Sequence, residues 1–371
     1  MMNNFKELEI HTLICNRDVL LAINNFKSLQ KFEEFNDVPV YLHDDGSLTE
    51  SDIILLGNIK NVVLIRRNDA DLDIEKYVKD YPNCYNYRLG KNPINLWHKI
   101  KTFDYYYFSK TKKVIGLDSD LLFMQKPENV INLINSNTPF YFPDVQSSYC
   151  FNEPKDEVSV LKNVNTGLIY IPSPEYYNID SLEFALKNLV GKGVNYFPSW
   201  IEQSAFAHMF YKDGRYVSLG LEEYRIPYFQ SVDIKKIECL HFVSYQPVRE
   251  LYKTYIDYLD ISNGELVYEK NFIVEFESHK IPLDVKIQKY EGFLNVEFYW
   301  GLEKTNHKFL DHIFKIVIDG KETEYKFQSN KNGFFIINLT NDNFDIYHTH
   351  DWYNNLKWEK LDTIKIEKTS D

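Results

Sequence analysis

The sequence predicts an α/β domain of Rossmann type over residues 1–258, followed by a small all-β, sandwich-like domain over residues 259–371. Two observations carry this. Up to about residue 250, short apolar runs alternate with segments of helical spacing, the pattern of a sheet flanked by helices. Beyond about residue 260 the period drops to two, and turn dipeptides such as Asp319-Gly320 and Asn332-Gly333 separate the runs.

Residues 9–14, EIHTLI, read as the first strand. Residues 17–32 follow as a helix, with Leu20, Leu21, Ile23, Phe26 and Leu29 at helical spacing. Strand 38–42 ends in His43-Asp44-Asp45-Gly46-Ser47, a tight turn at the carboxyl end of a strand, where open α/β sheets place their ligands. Strand 62–65 leads to a charged segment, Arg66 to Asp73. Leu96, Trp97, Ile100 and Phe103 recur at helical spacing with Lys99 between them. The next stretch is VIGLDSDLLFMQKP, residues 114–127, an apolar strand running into acid. Helix 127–134, strand 139–142, the turn and strand 163–171, helix 179–190, the Gly191-Lys192-Gly193 break, a helix from Trp200 and strand 237–244 complete the first domain. In the second, segments 265–277, 282–290, 292–300, 312–319, 322–328, 333–339 and 361–367 alternate apolar with polar residues. Trp352, Tyr353 and Trp358 read there as core or interdomain aromatics, with a sugar-stacking platform as the alternative.

Composition narrows the function. With 44% hydrophobic and 16% aromatic residues among 371, the chain has ample material for packed cores. A formal net charge of −12 excludes a protein that clamps a nucleic-acid backbone, which takes clustered Lys and Arg. Cys15, Cys84, Cys150 and Cys239 form no CxxC pair and read as thiols of a reducing compartment, hence the cytoplasm. No signal-like amino terminus and no run of about 18 apolar residues is present, so any membrane contact would be peripheral.

The chemistry concentrates at Asp118-Ser119-Asp120. Burying an ionised carboxylate costs several kcal/mol unless a cation or hydrogen bonds compensate, about the cost that a pair wedged between apolar runs must offset. Paired carboxylates are hard oxygen ligands suited to magnesium or manganese, although the same tripeptide also reads as a turn. Asn165-Thr166-Gly167 is a small polar turn feeding an apolar strand, and Glu202-Gln203 opens a helix. His241 lies on a late apolar strand, and imidazole can complete such a ligand pair.

In this order, Asp-x-Asp after an apolar strand, Asn-Thr-Gly, Glu-Gln and a late-strand His resemble glycosyltransferase family 8, the glycogenin-like and bacterial galactosyl- and glucosyltransferases of GT-A fold. The resemblance covers about residues 9–250. It implies Mn2+ (or Mg2+) held by Asp118, Asp120 and His241, a UDP-sugar donor, a carbohydrate acceptor, and retention of anomeric configuration. Asn165, Glu202 and Gln203 would face the sugar, and Lys99, Asp118, Ser119 and Gly167 would border the donor. Two departures stand out. The Asp44-Asp45-Gly46-Ser47 turn resembles family 2, whose members invert and in which an acid after the second strand contacts the uracil, a role for Asp44 or Asp45; Asn16 and Arg17 are further candidates on the donor side. The family lysine after the late histidine is missing, which leaves Arg249, Arg17 or Lys99 for the diphosphate. Competing readings are a non-catalytic carbohydrate-binding protein with a degenerate transferase domain, and a metal-dependent hydrolase; for the latter the histidines show no HExxH or similar cluster in the first domain.

Overall fold

The computed structural model describes residues 4–90, 98–150, 158–190, 200–227, 233–243, 252, 254–256, 258–259, 265–276, 279–290, 293–300, 310–329, 333–339, 341, 343–351 and 359–365. The chain divides into two compact units, residues 1–49 with 56–261, and residues 50–55 with 262–371.

The first unit is α/β. In chain order it comprises β1 (Leu8–Ile14), α1 (Val19–Gln30), α2 (Glu33–Asn36), β2 (Val40–Asp44), α3 (Glu50–Leu56, most of which groups with the second unit), β3 (Val62–Ile65), α4 (Arg67–Val78) and α5 (Pro82–Arg88). It continues with α6 (Lys99–Phe108), β4 (Lys113–Leu117), β5 (Leu121–Phe123), α7 (Glu128–Asn135), β6 (Phe140–Pro143), β7 (Val164–Ile171), α8 (Ile179–Leu189), α9 (Ile201–Asp213), β8 (Val217–Ser218), β9 (Tyr224–Arg225) and β10 (Cys239–His241). The main sheet has the order β3-β2-β1-β4-β7-β6-β8. Strands β3, β2, β1 and β4 are parallel, and β7 runs antiparallel to both β4 and β6. The chain therefore winds outward from β1 through β2 and β3, then returns to β4 on the other side of β1. The crevice beyond the carboxyl ends of β1 and β4 is the switch point at which such sheets bind ligands.

Several elements differ from the sequence expectation. The acid-rich stretch after β3 is helical: Ala70, Ile74 and Val78 form a stripe one residue wide, four apart, that α4 buries. Leu121 to Phe123 forms a strand of its own, antiparallel to β10 in a small sheet β5-β10-β9, with His241 opposite Leu121. Among the described residues of the expected strand 237–244 only Cys239–His241 is strand; Ser244 and Gly191-Lys192-Gly193 lie outside the described residues.

Helix α6 is fastened from one side by a buried arginine. Arg88 makes a bidentate pair with Asp104, Nε to Oδ1 and Nη2 to Oδ2 both at 2.7 Å, and its Nη1 donates to Asp71 at 2.6 Å. Charge-assisted forks of this kind hold geometry as well as charge, so α4, α5 and α6 are locked in one arrangement.

The second unit contains β11 (Glu265–Phe276), β12 (His279–Tyr290), β13 (Phe293–Trp300), β14 (Leu310–Ile318), β15 (Lys321–Ser329), β16 (Gly333–Leu339), β17 (Asn343–Asp351) and β18 (Glu359–Lys365). They form two antiparallel sheets, β11-β12-β13-β16 and β15-β14-β17-β18, that share one core; Phe298 and Phe314 meet across it at 4.4 Å between ring centroids. The Asp319-Gly320 turn joins β14 to β15 with both residues at positive φ, 49° and 76°, as a two-residue hairpin demands. β17 was not anticipated, and Trp352, Tyr353 and Trp358 lie outside the described residues. Among the described residues, no helix is long and apolar enough to cross a membrane.

Candidate active site

Asp118 stands at the carboxyl end of β4, in the turn that carries Ser119 and Asp120 into β5. Its main chain is pinned on both sides: its N–H donates to the Gly167 carbonyl at 2.8 Å, and its own carbonyl accepts from Asn25 Nδ2 of α1 at 2.8 Å. The β5–β10 pairing sets His241 opposite, reinforced by a bond from Phe242 N–H to the Asp120 carbonyl at 2.9 Å. His241 Nε2 consequently lies 3.1 Å from Asp120 Oδ1 and 3.6 Å from Asp118 Oδ2.

A second cation completes the group. Lys101 of α6 is almost wholly buried; its Nζ lies 2.6 Å from Asp118 Oδ1, 3.3 Å from Thr166 Oγ1 and 3.8 Å from Glu202 Oε1. Thr166 in turn donates to Glu202 Oε2 at 3.1 Å. Burial works against the Lys101 ammonium, but Asp118 and Glu202 outweigh it and hold its pKa above the ordinary value. For Asp118, burial is outweighed by the charges of Lys101 and His241, so its carboxyl is held below the ordinary range, whereas burial pushes Asp120 up. Burial also raises Glu202, against the pull of Lys101.

These groups line a cavity of about 440 Å³ together with Asn165, Gln203, Asp144 and Trp200. Asn165 Oδ1 accepts from the Gly167 N–H at 2.8 Å, which leaves its amide nitrogen as the end able to donate to a ligand. Gln203 Nε2 donates to the Ser148 carbonyl at 2.6 Å, which leaves its Oε1 as an acceptor.

Asp118, Asp120 and His241 each offer one ligand atom, all within 4.8 Å of one another. Two carboxylate oxygens and an imidazole nitrogen are a donor set that fits Mn2+ or Mg2+. Lys101 already engages Asp118 Oδ1, so Asp118 would present Oδ2.

The structure gathers Asn165, Glu202, Gln203, Asp118, Asp120 and His241 around this cavity; Ser119 and Gly167 are buried in the adjoining turn and strand. It does not bring Lys99, Asn16, Arg17, Asp44 or Asp45 into it. Lys99 faces the other way, where burial and the charges of Arg67 and Arg88 lower its pKa. Asp44 accepts from the Gly46 N–H at 2.7 Å and pairs with Arg66 at 3.6 Å; Asp45 accepts from the Ser47 N–H at 2.9 Å. Both carboxylates thus hold their own turn. Asn16 N–H donates to Ser47 Oγ at 2.9 Å, Arg17 pairs with Asp18 at 3.0 Å, and Arg249 lies outside the described residues. Sequence reasoning missed Lys101, whose one signal was a charge set among Ile100, Phe103 and Tyr105, and it missed His98, Asp144 and Trp200 at the cavity wall.

No protein-family model matches the chain, and no curated protein matches its sequence. Among solved structures, the chain is similar to the galactosyltransferase LgtC in complex with donor and acceptor sugar analogues, at 12% identity and TM-score 0.45, covering 69% of this chain and 96% of that one. It is similar to mouse xyloside xylosyltransferase 1, at 12% identity and TM-score 0.45, covering 65% and 99%. It is also similar to the mannosyltransferase Ktr4p from S. cerevisiae, at 14% identity and TM-score 0.38, covering 69% and 82%. Likeness at this level carries no argument about chemistry, which rests on the geometry of this chain.

Proposed function

We propose that this protein is a GT-A glycosyltransferase, dependent on Mn2+ or Mg2+, that moves a hexose from a UDP-sugar to a hydroxyl of a saccharide acceptor in the cytoplasm, with retention of anomeric configuration. One observation carries the reading: an acid–acid–imidazole cluster at the switch point of a mainly parallel sheet, on the wall of a cavity that also holds Glu202 and Gln203. The four cysteines, all free, are the support for a reducing compartment.

Asp118 Oδ2, Asp120 and His241 would hold the divalent ion. The ion would neutralise the diphosphate leaving group as a Lewis acid. Glu202 is oriented by Lys101 and Thr166 and accepts hydrogen bonds from sugar hydroxyls. Gln203 Oε1 and the Asn165 amide nitrogen lie against the reacting face, stabilising the positive charge and the departing oxygen respectively as the glycosidic bond breaks. With two of its neighbours already fixing it, Glu202 serves better as an orienting group than as a base that must approach the acceptor.

A donor screen reading release of nucleoside diphosphate with Mn2+ present tests the activity, and proton NMR of the first-formed product tests the stereochemistry. No release from any sugar nucleotide would favour the degenerate, carbohydrate-binding alternative. An anomeric coupling opposite to the donor's would make the enzyme inverting and Glu202 its base.

A further inference from the structure

Gly167 touches three of the groups assigned above without lining the cavity itself. Its carbonyl accepts from the Asp118 N–H at 2.8 Å, its N–H donates to Asn165 Oδ1 at 2.8 Å, and its Cα backs directly onto the His241 ring. A Cβ at this position would fall 2.5 Å from His241 Nδ1 and 2.8 Å from Nε2, and closer still to Cε1. Real Cβ atoms do not approach ring atoms so closely. The imidazole is boxed in elsewhere too: it is buried, Phe142 meets it edge-on at 5.4 Å, and Asp120 lies 3.1 Å from Nε2. Gly167 is β-strand backbone with no positive φ, so chain conformation does not call for a glycine here. The requirement is space for one ring.

We propose that Gly167 is a positioning residue for the metal centre: its bare Cα is the seat that lets His241 Nε2 reach the two carboxylates. The proposal rests on the metal-dependent reading above and adds to it why a residue first expected to face the sugar must be glycine. A methyl group there would meet a side chain rather than main chain, so it is the boxed-in ring that would be forced from its place beside the carboxylates. Groups that orient a metal ligand without touching the ion typically set affinity by about 10–100-fold.

The test measures Mn2+ binding to the full-length protein by electron paramagnetic resonance, without donor, beside thermal melting. Gly167→Ala should weaken Mn2+ by about 10–100-fold while melting cooperatively. In a His241→Ala background, where the ring is gone, adding Gly167→Ala should change neither Mn2+ affinity nor melting further, because the two substitutions act through one contact. Unchanged Mn2+ affinity in Gly167→Ala would overturn the proposal. If Gly167→Ala alone fails to fold, the double variant decides: folding restored by His241→Ala supports the seat, and folding not restored shows that the methyl strikes something else. Wild-type protein that binds no Mn2+, even with UDP, refutes the metal reading, and the melting cycle still reports whether Gly167 and His241 are coupled.

Discussion

Lys101 and Lys99 are two residues apart on α6, and substituting each in turn separates the structure's assignment from the sequence's. In Lys101→Met the unbranched chain keeps the packing and the ammonium is lost. Asp118 Oδ1 then loses a partner at 2.6 Å, Thr166 Oγ1 one at 3.3 Å, and Glu202 its nearest cation at 3.8 Å. Removing one member of a buried ion pair typically costs about 3–5 kcal/mol, because the remaining charge stays desolvated. The lower end applies here, since the Asp118 side chain is 30% exposed through the cavity. At about 3 kcal/mol and about 2–4 °C per kcal/mol, melting in chelator should fall by about 6–12 °C. Mn2+ should recover part of that loss, as a divalent ion beside Asp118 supplies the missing charge, and UDP release should drop sharply even at saturating metal because Glu202 is no longer oriented. Lys99→Met should do neither: burial and two arginines already disfavour the charge on Lys99, so a neutral side chain there is tolerated or mildly stabilising. Differential scanning calorimetry with and without Mn2+, paired with UDP release, reads both. Full activity and unchanged melting in Lys101→Met, with loss in Lys99→Met, would refute the placement of α6 and the role given to Lys101.

Asp120→Ala should abolish turnover and Mn2+ binding with the circular dichroism spectrum retained, and full wild-type activity in chelator would remove the metal from the mechanism altogether. Removing residues 262–371 should leave donor hydrolysis measurable while transfer to the true acceptor falls, because the described cavity wall runs from His98 to Val243; an insoluble product would show that the two units depend on each other. Stability should decline as pH falls below about 6.5: His11 Nδ1 and His43 Nε2 share a buried contact of 2.9 Å, and burial holds both imidazoles below their ordinary value of 6.5. The unfolded chain then binds protons that the folded one refuses, so stability is full above the unfolded pKa and shrinks on acidification. Urea titrations at several pH values should give a shallower decline for His43→Gln than for wild type, and identical slopes would exclude this pair as the cause.

How far the sequence could be read depended on what each signal shares with its neighbours. The acidic pair was legible because apolar runs flank it on both sides, and a carboxylate in that setting needs a cation or hydrogen bonds to offset its burial. His241 was legible only in its type and place on an apolar strand. What brings it 3.1 Å from Asp120 is the antiparallel pairing of β5 with β10, more than a hundred residues apart, and three-residue strands carry too little pattern to declare their partner. The choice between Lys99 and Lys101 was not legible for another reason. Helix α6 buries Lys99, Ile100, Lys101, Thr102, Phe103 and Asp104 in succession, so no polar face exists from which periodicity could tell an inward lysine from an outward one.

The Asp44-Asp45-Gly46-Ser47 turn marks the opposite limit. Its local reading, acids and a glycine closing a tight turn, is what the hydrogen bonds to the Gly46 and Ser47 N–H groups describe. These bonds go to Oδ1 of each carboxylate, and the cavity that holds the other candidate residues lies between Lys101, Glu202 and the Asp118 turn. The same physical rule separates the two acid pairs. The hydrogen bonds that Asp44 and Asp45 accept come from groups within four residues, with Arg66 beside Asp44 at 3.6 Å, whereas the side chains of Asp118 and Asp120 meet groups brought from α6 and β10, distant in the chain. An acid pair whose partners arrive from distant segments is held in place by the whole fold, and that is the pair to which the chemistry is assigned.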